Sequence, residues 1–441
     1  MQHNIKSVII TLLIGIILPT ASIAHEIAGM PVESDGGLKV GSPSGPYWFQ
    51  LGGVIKLDHR SFIGKTDGSP GAFPLSKSGK PPGTYFSGAF VRALELDLSG
   101  GIGNDFTYSV GLDFDTHEKE VALDFAFVTY NGFKHIAPNF SFSVGQVFPA
   151  FCISCASSSK WIPFMERNMG TNVFGPKQGL GVSANSYRND YSATIAITQQ
   201  PKMGSHVKAL DGSNLKTRDL WQASGRFTYA PIAEEHKLLQ LGFSTHIQEY
   251  SNTGLEFKAN PEMKTNHATT LLNTSYATAP GAAVLISAKN QKTIDFELTG
   301  LHGPWSGELE YQRAYVKRGL NLANVSQGPN LTFYGYHAQV SYVLTGESRT
   351  VKKSNGTLGP IKPSSKNGAW EISGRYSVIN LNNKDISGGK ANNTTASLSW
   401  YANNNVRVIG EYVISKQSRK FPTYLDKRTV SGIGARLQVV F

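Results

Sequence analysis

From Tyr47 onward the chain is written in runs of about ten residues that alternate apolar and polar, and few folds accept such a pattern. In the clearest run Phe106, Tyr108, Val110, Leu112 and Phe114 share one face, while Thr107, Ser109, Gly111, Asp113 and Asp115 share the other. Period two means a strand, and about ten residues is what a tilted strand needs to cross a bilayer. The run before it sets Phe90, Leu94, Leu96 and Leu98 against Ala93, Glu95 and Asp97, with GIGND at 101–105 as the turn between them. The run after it sets Val121, Leu123, Phe125 and Phe127 against Asp124 and Ala126.

Sixteen such segments can be placed, at 47–58, 88–99, 105–115, 121–131, 139–147, 178–187, 190–199, 219–230, 236–249, 291–301, 305–317, 331–344, 367–380, 391–402, 404–416 and 429–441. An even count suits a closed antiparallel barrel with both ends on one side. The connections alternate short and long, as in outer-membrane barrels, except that 345–366 is long where a short turn is due. A soluble β-sandwich or propeller would also alternate. The chain end argues for the barrel: Ser431, Ile433, Ala435, Leu437, Val439 and Phe441 share one face. An aromatic residue closing an amphipathic last strand is similar to the signal that such barrels present to their insertion machinery. The expected fold is all-β, a transmembrane antiparallel β-barrel of about 16 strands in outer-membrane lipid. Trp221, Tyr229, Trp305, Tyr311, Tyr334, Trp370, Trp400 and Tyr412, toward the ends of the apolar faces, fit interfacial girdles.

Residues 1–24 read as a secretory signal peptide, with Lys6, an apolar core from Val8 to Leu18, a break at Pro19 and small residues before a cut after Ala24. Residues 25–46 read as a flexible lead-in, leaving 47–441 as the barrel domain. No later run is long and apolar enough for a membrane helix. The formal charge is +11, of which the leader contributes only Lys6. An exported basic chain points to anionic solutes or lipid headgroups and away from nucleic acid.

The strand period stops after Gly145. For about thirty residues none returns, yet Phe148, Phe151, Trp161, Phe164 and Met165, with Lys160, Glu166 and Arg167, make the stretch too apolar for disorder. It reads as a long third loop folded into the lumen, with Glu166 and Arg167 holding it to the wall. Cys152 and Cys155 are the only cysteines. In an exported chain this C-x-x-C reads as a local disulfide, since no His or acid cluster stands beside it for a metal and no βαβ context for redox work.

Several stretches resemble the phosphate-selective porin O and P family. They are GQ at 145–146, PAF at 149–151, SS at 157–158, FMER at 164–167, GNDFTYSVGLDFD at 103–115, GRFTYAP at 225–231 and VSYVLTGESR at 340–349. GAWEISGRYSVINL at 368–381 and SWYANNNVRVIGEYVIS at 399–415 complete the set. The resemblance implies a sixteen-stranded homotrimeric outer-membrane porin, assembled by the barrel-assembly machinery and passing small anions such as phosphate. It also implies that Gly145 to Arg167 folds inward and that TGE at 345–347 opens the long turn. The cysteine pair departs from the family pattern and alters the expected constriction.

On this reading the constriction is carried by Phe148, Phe151, Lys160, Trp161, Phe164, Glu166, Arg167 and Lys177. Arg226, Arg375, Arg407 and Arg436 are the pore-lining bases, each weighed against a role as partner of a neighbouring acid. Glu95, Asp97, Asp113, Asp115 and Asp124 are the pore-lining acids, so the wall is not strongly cationic. Anion selectivity comes from rings of Arg or Lys at close quarters, and passive flow needs weak binding. A general or cation-preferring porin, and a surface receptor or adhesin acting through its long loops, stay as alternatives. The chain carries no G-x-S-x-G, H-E-x-x-H or phosphate-cradling glycine loop, so no enzyme, cofactor or metal site is expected.

Overall fold

The computed structural model describes residues 26–27, 30–34, 37–41, 45–63, 87–115, 120–135, 139–199, 220–264, 270–275, 285–319, 328–420 and 425–441. Sixteen strands carry the alternating runs. The first eight are β1 (Trp48–Ile63), β2 (Gly88–Ile102), β3 (Phe106–Asp115), β4 (Glu120–Tyr130), β5 (Ser141–Val147), β6 (Gly179–Tyr187), β7 (Tyr191–Gln199) and β8 (Trp221–Glu234). The second eight are β9 (Lys237–Leu255), β10 (Ile286–His302), β11 (Trp305–Arg318), β12 (Leu331–Val343), β13 (Ala369–Asn383), β14 (Ile386–Tyr401), β15 (Val406–Lys420) and β16 (Leu425–Val440). Each pairs antiparallel with the next, and β16 returns to β1 from Ser431↔Ile63 to Val440↔Val54. The result is a closed 16-strand antiparallel barrel.

Its two faces are inverted relative to a soluble protein. Leu241, Phe243, Phe296, Leu309, Ile372, Leu398 and Ile433 are exposed, whereas Gln240, Ser244, Thr293, Asp295, Ser373 and Ser397 on the opposite parity are buried. An apolar outside this extensive would be unsupportable in water, and a lipid surround accounts for it. Trp221, Tyr229, Trp305, Tyr311, Trp370 and Tyr412 lie on the exposed side. Among the described residues no helix is long and apolar enough to cross a membrane.

The expected leader lies outside the described residues. Within the 25–46 lead-in, Met30–Ser34 pairs with Leu38–Gly41, which lies along the start of β1 with Leu38 opposite Leu51. β1 itself runs five residues past its expected end at 58, so that Lys56, Asp58 and Arg60 share one buried face.

The register shifts at several points in the barrel, and two of these bulges move side chains expected on the outer face. In β2 the register against β1 shifts at Arg92, which puts Phe90 opposite Asp58 and the Arg60 guanidinium 5.5 Å from the Phe90 ring. In β4 it shifts at Asp124, so Leu123 still pairs with Leu112 but Phe125 pairs with Gly111 and Phe127 with Ser109. Directly opposed residues point the same way, so both phenylalanines join the inner face and Ala126, Val128 and Tyr130 take the outer one. The outward placement expected for Phe90, Phe125 and Phe127 is therefore corrected: one extra residue in a strand reverses every side chain beyond it.

The anomalous link at 345–366 holds a hairpin, Arg349–Lys352 paired with Thr357–Ile361. At the closing seam the Gly53 amide donates to the Phe441 carbonyl at 2.7 Å, and the Phe441 amide donates to the Gly53 carbonyl at 3.2 Å. A Cβ on Gly53 would stand 2.3 Å from the Glu95 carbonyl and 2.8 Å from the Phe441 ring. Gly53→Val is expected to lower the yield of barrel that migrates as the compact, unheated form in detergent gels, and an unchanged yield would show the seam to be tolerant there.

Candidate functional site

The segment between β5 and β6 is held by inner-face side chains of β1, β2, β9, β11 and β13 to β16. It opens with α1 (Ile153–Ala156), whose flanking residue Cys152 has φ +30° and is disulfide-bonded to Cys155. α2 (Met169–Phe174) follows, capped by the Asn168 side chain accepting from the Thr171 amide at 2.9 Å. Amides at the starts of these helices, which have no partner within the helix, are met by carboxylates from elsewhere. Glu310 on β11 accepts from the Ser154 amide at 3.1 Å, and Glu262 accepts from the Met169 amide at 3.0 Å.

Between the helices the wall arginines bind the segment's carbonyls. Arg407 donates to the carbonyls of Ile162 and Pro163 at 2.7 and 3.0 Å, Arg436 to Met165 at 2.6 Å, and Arg375 to Glu166 at 3.0 Å. Met165 in turn donates its amide to Glu411 at 2.8 Å. The guanidinium of Arg375 also lies 4.3 Å from the Phe164 ring and pairs with Glu262 at 2.6 Å. Arg226 pairs with Glu297 at 2.6 Å and donates to the Asn355 carbonyl of the hairpin. These four arginines, expected as pore lining, are 2–6% exposed and hold acids or backbone carbonyls of the β5–β6 segment and the hairpin.

The hairpin meets the same segment from its own side. Arg349 pairs with Glu371 and donates to the Trp161 carbonyl at 2.8 Å, and the Asn355 amide group donates to the Ala156 carbonyl at 3.2 Å. Neither Arg349 nor Glu262 stood out in the sequence, because each lies in a connection where no period marks which way a side chain points.

A buried charge cluster fixes the far end of the segment. Glu166 accepts from Arg60 at 2.7 Å and from Arg92 at 2.8 and 3.0 Å, with Arg436 at 3.6 Å. Asp58 binds Arg60 and takes two bonds from Arg436 at 2.7 and 2.9 Å. Burial alone would raise the Glu166 carboxyl, but Arg92, Arg60 and Arg436 outweigh it and hold it well below its ordinary value. Asp58, Arg60 and Arg92 escaped the sequence reading: the first two lay at or beyond the expected strand end and the third is the bulged residue itself.

The remaining expected residues fall into two groups. Phe151 and Phe164 are buried, Phe151 against the His246 ring at 6.0 Å. Lys160 pairs with Asp97 at 2.5 Å, and Trp161 is half-buried. Arg167 is half-buried and donates only to carbonyls, those of Ser154 and Ser157 at 2.8 and 2.7 Å. Burial lowers its pKa, and Glu166, Glu95 and Asp124 oppose that, which places Arg167 within electrostatic reach of the acidic wall. Lys177 and Phe148 are exposed, and Glu95, Asp97, Asp113 and Asp124 are half-buried. The Asp115 side chain lies outside the described residues.

Exposure divides the inner face. Along β8 to β16 its polar residues are almost all sealed, as at Thr228, Ser244, Ser377 and Ser415, each 0–1% exposed. Along β2 to β6 the inner positions Glu95, Asp97, Ser109, Asp113, Thr129, Ser143 and Asn185 keep partial exposure. Exposure of the inner wall is therefore concentrated along β2 to β6. Among the described residues no group of three or more His, Cys, Asp or Glu could hold a metal ion.

This architecture matches known proteins over most of its length. The model of the family "Phosphate-selective porin O and P" matches residues 84–441. The chain belongs to that porin family. Porin O of Pseudomonas aeruginosa is 25% identical over 435 residues, 94% of this chain and 93% of the relative. Among solved structures, the trimer form of OmpT, an outer membrane protein of Vibrio cholerae, aligns at a TM-score of 0.52 and 7% identity, covering 90% of this chain and 99% of that one. The anion-selective porin from Comamonas acidovorans aligns at 0.50 and 12% identity, covering 90% and 100%. The porin is thus an outer-membrane β-barrel channel.

Proposed function

We propose that this porin is a water-filled diffusion channel, not an enzyme, whose path follows the inner face of β2 to β6. Segment 148–177 folds into the lumen and narrows it, and small anions, phosphate among them, are preferred along the side of that segment. The observation that carries the preference is that Arg167, within electrostatic reach of Glu95 and Asp124, and the exposed Lys177 have no ion-pair partner among the described residues, whereas the wall arginines are covered. A guanidinium with only carbonyl partners keeps its net charge for a passing oxyanion. The acids opposite keep the preference modest and the binding weak, as free passage requires. The family description and the anion-selective neighbour agree with this reading.

Reversal potential across a potassium chloride gradient tests it. The native channel is expected to reverse on the chloride side, and Arg167→Gln with Lys177→Gln to move the reversal toward potassium. A native reversal on the potassium side would remove the anion preference and leave the channel standing.

The strand lengths favour a homotrimer. β5 has 7 residues and β6 and β7 have 9 each, against 15–16 in β13 to β16 and 19 in β9. At a tilt near 45° these short strands rise about 16–21 Å, less than an apolar band of about 25 Å. A neighbouring copy covers such a low, apolar wall better than lipid does, and the Vibrio protein has a trimer form. Native mass measurement in mild detergent is expected to give three chains, and a single chain would refute this.

A further inference from the structure

The bulge at Asp124 builds a surface that nothing in the barrel's closure requires. It is pinned from both stems of the inserted segment: the Gln146 side chain donates to the carbonyls of Leu123 and Asp124 at 2.6 and 3.0 Å, and the Gln178 side chain donates to the Asp124 carboxylate at 2.6 Å. Its effect is to turn Phe125 and Phe127 to the inner face. Gly111 makes room for the first, since a Cβ there would stand 2.2 Å from the Phe125 ring. Phe127 faces Gly145 across the β4–β5 pair. The ring of Phe148 completes the group, 5.4 Å from Phe125, which is itself 5.8 Å from Phe127.

Barrel interiors are ordinarily polar, so three clustered phenylalanines there need a reason. None of them is sealed: Phe125 and Phe127 are half-buried, and Phe148 is 48% exposed. They present apolar area and the electron-rich faces of rings to water. On the same face Asp97 stands opposite Gly111 but is paired with Lys160, whereas Asp124 belongs to the bulge itself and its carboxylate takes only the neutral Gln178 side chain, so the charge left beside the rings is that of Asp124. Rings flanked by carboxylates attract an organic cation twice over, through the ring quadrupole and through the carboxylates, and neither attracts a bare phosphate.

We propose that Phe125, Phe127 and Phe148, with Asp124, form a specificity surface for solutes that carry an apolar ring beside an ammonium nitrogen, any anionic group of the same solute being left to Arg167. The inference rests on the reading of the β2 to β6 wall as the water path. The constriction is then divided: one side takes the anionic end of an amphoteric solute and the other takes its ring and cation. Inorganic anions use only the first side.

The test is block of potassium chloride current in a planar bilayer by benzyltrimethylammonium, with tetraethylammonium as the cation lacking a ring. The native channel is expected to be half-blocked by the ring-bearing cation at a concentration at least fivefold lower. Phe125→Leu with Phe127→Leu keeps the apolar packing and removes two rings, and is expected to bring the two concentrations together. Asp124→Asn is expected to weaken block by both. Folding of each variant is read from its compact migration before heating. Equal block by the two cations in the native channel, or a preference that survives loss of the rings, would overturn the proposal. Absence of any native potassium chloride current would overturn the channel reading as well, and is distinct from an open channel indifferent to rings.

Discussion

Replacing residues 152–163 by a short glycine–serine linker should raise single-channel conductance several-fold. The replaced stretch includes α1, the Lys160 that pairs with Asp97, and the carbonyls of Trp161, Ile162 and Pro163 that Arg349 and Arg407 hold. Its removal clears volume against the sealed wall of β8 to β16 and widens the path along β2 to β6. A second effect follows from the freed donors. Arg407 loses both carbonyls and keeps Ser399 at 2.8 Å and the distant Glu371 at 3.8 Å, so its charge becomes available to ions. Chloride preference should therefore rise together with conductance. Unchanged conductance would take this segment out of the permeation mechanism.

The second large effect is expected of Glu166→Gln. The native carboxylate answers Arg60 and Arg92 and faces Arg436, and Arg60 has no exposed surface. Removing one partner from a buried charged group costs about 3–5 kcal/mol, because the charges left behind cannot recover their hydration. Asp58 still serves Arg60 and Arg436, and Arg92, whose side chain is 25% exposed, can turn to water, so the lower end of that range applies. The temperature at which the compact form converts to the unfolded band in detergent gels should fall, and open-channel current should become noisy as the segment loosens. The native protein has a matching acid response. A carboxyl lowered on docking stabilises fully above its undocked value of 4.5 and loses that contribution only as pH falls through the lower docked value. Current noise should stay constant from neutral pH to about 4.5 and grow below it, whereas Glu166→Gln should be noisy throughout. A variant as quiet and heat-stable as the native channel would show that the cluster does not hold the segment.

The barrel was legible because alternation is dictated by lipid outside and water inside, a boundary condition that acts on every strand alike. The closed barrel of sixteen strands follows from it. What escaped was whatever breaks period two. The bulges at Arg92 and Asp124 each insert one residue, and no composition signal separates Phe125 facing lipid from Phe125 facing the lumen. The hairpin of 349–361 was visible only as an excess of length. Arg226, Arg375, Arg407 and Arg436 are buried, and their partners come from segments far away in sequence: Arg375 holds Glu262 and Arg436 holds Asp58. Parity assigns a side chain to a face, and only the folded connections decide whether water reaches it.

Ions are proposed to pass along β2 to β6 and not along the opposite wall. Single cysteines at inner positions, probed by a charged methanethiosulfonate reagent during current recording, test it most directly. Ser109→Cys and Ser143→Cys lie on the partly exposed side, while Ser377→Cys and Ser415→Cys lie on the sealed side at 1% exposure. The native cysteines are bonded to each other and do not compete for the reagent. The path described here predicts an abrupt, permanent change of current at positions 109 and 143 and none at 377 and 415. Modification at 377 and 415 with silence at 109 and 143 would contradict it.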